Sequence, residues 1–176
     1  MNIFKSAGFA VGFTIALLLI VVLFKFANRD HRAATAYDER QKVIRGQGYR
    51  YGFYTMIIFE CVLLVLDAWE VSLPFQNGLI HFAGVLIGCL VFACHSIWNG
   101  AYWGINNDPK RYAFVFIALA ALNAIPVIGA LKSGTFFDEG RFAPPVLNLM
   151  VLLELLILGI TLFAKHLEVQ RTEEED

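Results

Sequence analysis

The chain has 176 residues, 58% hydrophobic and 16% charged, with a formal net charge of -1. That length suits a single domain, the apolar content lies well above that of soluble domains, and the near-neutral balance argues against a chain-wide attraction to nucleic acid. Cys61, Cys89 and Cys94 all fall inside apolar runs with no framework spacing, which argues against a disulfide scaffold and reads them as small buried hydrophobes.

A bilayer-spanning helix needs about 20 mostly apolar residues. Five stretches meet that length, at about 7–26, 51–71, 79–102, 112–131 and 145–165. Helices are the expected form, because lipid offers no partners for backbone N–H and C=O groups, whereas a barrel would show short alternating segments. The expected fold class is all-α: a polytopic membrane protein, one membrane domain built as a five-transmembrane-helix bundle. The stretch 7–26 carries no charge before Lys25. It is too long for a typical secretory h-region and has no small-residue cleavage site directly after it, so it is read as a retained helix.

The loop 28–50 follows. Asp38 and Lys42 stand four residues apart, a spacing that favours a short helix, and Gly46 and Gly48 are expected to break it before the next span. Arg29, Arg32, Arg40, Lys42, Arg45 and Arg50 suit contact with anionic lipid or with a cytoplasmic protein, or act only as a topology signal. The stretch 51–71 contains Glu60, Asp67 and Glu70 and has the weakest claim to span; without it the count would be four. Glu60 and Asp67 are seven apart and share a helix face. The short connection 73–78 makes the next stretch its antiparallel partner.

In the stretch 79–102, His81 and His95 are fourteen apart and project from similar faces. Gly84 and Gly88, like Gly8 and Gly12, form a GxxxG pattern that serves packing within the chain or a homo-oligomer. A turn cluster, Asn106-Asn107-Asp108-Pro109, leads to the stretch 112–131, which holds Asn123 and Pro126. The loop 132–144 places Phe136, Phe137 and Phe142 among glycines and charges, as expected for an interfacial segment. Glu154 lies near the middle of the last stretch, and the acidic tail 167–176 ends in Glu173-Glu174-Glu175-Asp176, which is expected to be solvated and disordered.

Five spans put Lys25, Arg29, Arg32, Arg40, Lys42, Arg45, Arg50, Lys110, Arg111, Lys165 and Arg171 on one side, eleven of the 14 basic residues. Lys5, Lys132 and Arg141 fall on the other. The positive-inside rule then sets the N-terminus outside and the C-terminus in the cytoplasm. Tyr49, Tyr51, Phe53 and Tyr54, and then Trp98, Tyr102 and Trp103, mark the cytoplasmic interface.

A charge at mid-bilayer costs at least about 2.5–3.5 kcal/mol on insertion scales, so such groups face the protein interior or water. The candidate proton- or cation-handling residues are Glu60, Asp67, His95, Asn123 and Glu154. Three readings fit these groups. They fix helix packing by hydrogen bonds, or they serve a proton or cation in transport or sensing, or His81 and His95 ligate haem with help from another subunit. The histidine spacing is similar to that of bis-haem cytochrome b helices, but the facing pair is absent from this chain. No zinc-protease helix, Walker loop or dinucleotide fingerprint is present, and Cys94-His95 adjacency on a helix makes no nucleophile–base pair. No cofactor is called for, no internal repeat indicates an inverted-repeat transporter, and a non-enzymatic accessory or sensory protein is expected.

Two stretches resemble small, uncharacterised multi-pass membrane proteins of Gram-positive bacteria. One runs from Asp38-Glu39-Arg40-Gln41 through Gly46 to Tyr54, and the other is Ala101-Tyr102-Trp103-Gly104-Ile105-Asn106-Asn107-Asp108-Pro109-Lys110-Arg111. The resemblance covers about 29–165 and implies a bacterial plasma membrane and the same helix order. It implies no activity and no site residues.

Overall fold

A computed structural model describes Leu18 and residues 36–75, 78–104 and 109–175. The chain divides into two compact units, Met1–Ala36 and Tyr37–Asp176, and every element named below belongs to the second. The expected span 7–26 lies outside the described residues apart from Leu18, which is helical; Arg29, Arg32 and the turn 106–108 lie outside them too.

The second unit contains α1 (Glu39–Ala68), α2 (Leu79–Trp98), α3 (Pro109–Ser133), β1 (Phe137–Asp138), β2 (Arg141–Phe142) and α4 (Pro145–Glu175). Among the described residues, these four helices are each long and apolar enough to cross a membrane. Their exposed faces carry Ile58, Leu64, Leu122, Ile125, Leu156 and Phe163, a surface that suits lipid rather than water. The main helix contacts run α1 on α2, α2 on α4 and α4 on α3. The four therefore stand in a row, with α1 and α3 at its two edges.

The break expected at Gly46 and Gly48 does not occur: α1 is continuous from Glu39 to Ala68. Its start is set by a capping box. The Asp38 carboxylate accepts from the Gln41 backbone N–H at 2.7 Å, and the Gln41 side chain accepts from the Asp38 backbone N–H at 3.3 Å. With Asp38 engaged in the cap, Lys42 pairs with Glu39 at 2.6 Å instead of with Asp38. Gly48 is kept small because it is buried against Phe92 and His95 of α2. A helix of 30 residues is about 45 Å long, against a hydrocarbon layer of about 30 Å, so part of α1 extends beyond that layer.

The other end of α1 closes with a Schellman motif: Val71 N–H bonds Leu66 C=O at 3.0 Å and Glu70 N–H bonds Asp67 C=O at 2.9 Å. The residue forced into the left-handed region is Glu70, with φ 55°. The ends of α2 and α3 use Gly100 and Gly134 there, both at φ 68°. Left-handed backbone costs a non-glycine residue roughly 1–2 kcal/mol, and a carboxylate opposes the dipole at a helix C-terminus. Glu70→Gly is therefore expected to stabilise the protein by about 1 kcal/mol, read as a raised unfolding midpoint in detergent micelles. An unchanged or lowered midpoint would contradict this.

At the connector end, the α1–α2 and α3–α4 connections are tied together. Phe142 N–H bonds Pro74 C=O at 2.9 Å, and the Phe142 ring stacks on Phe75 at 5.1 Å. The hairpin β1–β2 turns through Glu139 and Gly140, with φ 48° and 77°, the positive pair that a two-residue hairpin turn of type I′ requires. Of the aromatics expected at the interface, Phe136 instead joins a core with Val127, Ala130 and Val146, because the hairpin folds it back between α3 and α4. Phe137 stays exposed.

At the opposite, basic end lie the start of α1, the end of α2, the start of α3 and the last turns of α4. The acidic tail there is helical to Glu175, against the expectation of disorder. No glycine or proline interrupts it, and Lys165 pairs with Glu168 at 2.8 Å one turn ahead.

Candidate functional site

Helices α1 and α2 meet through glycines. A Cβ on Gly52 would lie 2.5 Å from the Gly88 carbonyl oxygen, and one on Gly88 would lie 2.9 Å from the Gly52 oxygen. Backbone thus rests on backbone, the close approach that small residues allow in membrane helices. The Gly84–Gly88 pattern serves this contact within the chain, and Gly48–Gly52 answers it from α1; Gly8 and Gly12 lie outside the described residues.

This seam brings Glu60 to His81. Glu60 Oε2 is 2.8 Å from His81 Nδ1. Its other oxygen lies over Gly84, where a Cβ would stand 3.1 Å away. Gly84 therefore makes the room in which the carboxylate reaches the imidazole. Both side chains are part-exposed, at 43% for Glu60 and 58% for His81, so the pair borders open space.

That space is a cavity of about 420 Å³ at the connector end, and its polar lining includes Glu60, Asp67, His81 and Arg141. Asp67 stands two turns beyond Glu60 on the same face of α1, about 10 Å further along the axis. Arg141 comes from β2 and is fixed there because its neighbour Phe142 is clasped to Pro74 and Phe75. Among the described residues, the Asp67 carboxylate and the Arg141 guanidinium have no hydrogen bond or ion pair, which leaves both charges available to a ligand.

The remaining sequence candidates do not join this site. His95 lies about 21 Å along α2 from His81. It packs edge-on to Tyr51 at 5.0 Å, and its Nε2 is buried with no hydrogen-bond partner among the described residues. Asn123 turns its amide back to the Leu119 carbonyl of its own helix at 2.8 Å. Glu154 is half-buried in α4, within electrostatic reach of Cys89 on α2, and among the described residues it has no hydrogen-bonding partner. The cavity beside Glu60 is lined by none of these three. Nor does haem fit the face that the two histidines share. The backbone contact at Gly52 and Gly88 fills that face, His81 is engaged by Glu60, and Tyr51 covers His95.

The basic end holds a second constellation that sequence reasoning missed. Buried Gln41 donates its amide to the carbonyls of Gly100 and Trp103, both at 3.1 Å. One turn on, Arg45 donates to Ala101 C=O at 3.3 Å. Its guanidinium lies over the rings of Tyr37 and Phe92, at 4.3 and 5.0 Å. Arg45, expected to face lipid or a partner, is thus turned inward, because α1 is already helical at that point and packs on the α2 terminus. Arg40 and Arg50 stay exposed. The signal for the clamp was Gln41 at the third position after an Asp cap, the capping-box spacing. No known protein family matches the sequence, and no curated protein or solved structure shows significant similarity to it.

Proposed function

We propose that the chain is a five-span integral protein of a bacterial plasma membrane, with its N-terminus outside and its C-terminus in the cytoplasm, acting as a non-enzymatic accessory or sensory subunit. The observation that carries this reading is the Glu60–His81 pair at 2.8 Å on the border of a connector-end cavity. A carboxylate and an imidazole in contact between membrane-length helices are a polar pair of the kind that handles protons or cations in membrane proteins. The orientation is supported by charge. Arg40, Lys42, Arg45, Arg50, Lys110, Arg111, Lys165 and Arg171 cluster at one end of the row, against Lys132 and Arg141 at the other. The bacterial assignment rests on the resemblance, whose two stretches meet at the Gln41 clamp. In this reading the cavity opens outward, and the basic segment with Arg40 and Arg50 meets the cytoplasmic partner.

Half-buried Glu154, without a hydrogen-bonding partner among the described residues, favours a second reading, proton- or cation-coupled transport. Hydrogen exchange of the 69–78 connector in lipid nanodiscs tests the first. The rate is expected to depend on pH or added cation, and Glu60→Gln and His81→Gln are expected to remove that dependence. A wild-type connector indifferent to both would overturn the sensory reading. Ion flux in liposomes that Glu60→Gln or Glu154→Gln abolishes would replace it with transport.

A further inference from the structure

We propose that the connector-end cavity binds a small zwitterion carrying an amine and a carboxylate, of amino-acid to dipeptide size. This rests on the sensory reading above and names the ligand class of its site. The volume of about 420 Å³ falls in the range of small-molecule sites, roughly 300–1,000 Å³. Its charges are separated by element: Glu60 and Asp67 stand on α1, and the guanidinium of Arg141 stands on the β-hairpin. Glu60 already has His81 as a partner. The Asp67 carboxylate and the Arg141 guanidinium have no hydrogen-bond or ion-pair partner among the described residues, although they line one cavity.

Two opposite charges in one cavity that do not pair with each other suit a ligand that bridges them. An ammonium meets Asp67, with Glu60 deeper along the same face, and a carboxylate meets the planar fork of Arg141. A simple cation would leave Arg141 unanswered and repelling it, and a simple anion would face two carboxylates. The clasp of Phe142 on Pro74 and Phe75 fixes the backbone of β2 that carries Arg141 beside the cavity before any ligand arrives, which lowers the ordering cost of binding.

Calorimetric titration of the full chain in nanodiscs tests this with ω-amino acids of increasing length, each beside the alkylammonium and the alkylcarboxylate of matched length. The best ω-amino acid is expected to bind at least about tenfold more tightly than either matched half-ligand. Arg141→Gln is expected to bring its affinity down to that of the alkylammonium, and Asp67→Asn to weaken every amine-bearing probe. Both side chains are exposed, so neither substitution threatens the fold. Equal affinity for alkylammonium and ω-amino acid, indifference to Arg141→Gln, or no ω-amino acid binding would each overturn the proposal. Connector exchange read on the same discs separates this from the underlying reading. A pH or cation response that persists without ω-amino acid binding defeats the ligand class alone, and loss of both defeats the sensory site as well.

Discussion

Gly52→Ala should be the most damaging single methyl addition along the α1–α2 seam. The added Cβ would sit 2.5 Å from the Gly88 carbonyl oxygen. Backbone cannot swing aside as a side-chain tip can, so the two helices must separate along their contact. Overpacking of this kind costs about 1–3 kcal/mol, and helix separation also forfeits the dispersion contacts of the whole seam. Gly88→Ala should cost less. Its new methyl meets mostly Cγ and Sδ of Met56, an unbranched side chain that can change rotamer where a backbone cannot, although the Gly52 oxygen at 2.9 Å still resists it. Gly46, Gly129 and Gly159 have nothing within 4 Å of an added Cβ, so alanine there should be neutral or stabilising by up to about 1 kcal/mol. Unfolding of detergent-solubilised protein by added SDS should rank the variants in that order. A Gly52→Ala protein as stable as Gly46→Ala would mean that the seam is not a close backbone contact. Because Glu60 reaches His81 only while the helices touch, Gly52→Ala should also erase the pH or cation response of the connector.

The same seam shows what was legible in the sequence and what was not. Four of the five expected spans coincide with apolar helices, because a long uninterrupted apolar run states its own length. The run 51–71 lies on a helix long and apolar enough to span despite Glu60, Asp67 and Glu70, since the first faces His81 and a cavity and the last lies past the helix end. The partner of Glu60 was harder to read. In an antiparallel pair, facing residues are disposed symmetrically about one point of the connection. The Gly52–Gly88 contact centres on residue 70, which sets Glu60 opposite residue 80, next to His81 rather than His95. The glycines carry that register, but the local habit of glycine outside a membrane is to end helices, so sequence alone predicts a break at Gly48. Arg141 could not be read into the site at all. Its position depends on a hydrogen bond and a ring stack between two loops remote in sequence, and no periodicity records such a contact. Whether the candidates Glu60, His95, Asn123 and Glu154 share one site was not legible for a related reason. Helix faces were inferable one at a time, whereas the order α1–α2–α4–α3 was not, and that order sets Glu60 and Glu154 on helices that are not neighbours.

Replacing Gln41 should damage the basic end, and the damage should depend on what replaces it. The wild-type amide is matched on every side. Its nitrogen donates to Gly100 and Trp103, its oxygen accepts from Asp38 N–H, and its backbone N–H is held by the Asp38 carboxylate. Gln41→Ala keeps the backbone half of the cap but removes the donor to two part-buried carbonyls, at about 1 kcal/mol. Gln41→Glu keeps the shape and reverses the chemistry, setting a carboxylate against two carbonyl oxygens with no proton between them. Its cost should exceed that of alanine once the new side chain is ionised. The sign with pH follows from linkage. A carboxylate repelled in the folded state has its folded pKa raised above the unfolded value of about 4.3. The penalty is therefore absent below that value and grows as pH rises through it towards the folded pKa. When protonated, the acid donates one of the two lost bonds. Thermal unfolding of wild type, Gln41→Ala and Gln41→Glu across that range should show the glutamate variant near or above alanine at acid pH and below it at neutral pH. A glutamate variant that tracks wild type at neutral pH would show that the amide does not tie α1 to the 99–104 turn. Loosening that tie should leave the Glu60–His81 pair intact, because the glycine seam lies between them, and should act instead on the exposed Arg40 and Arg50 that the proposed cytoplasmic partner would meet.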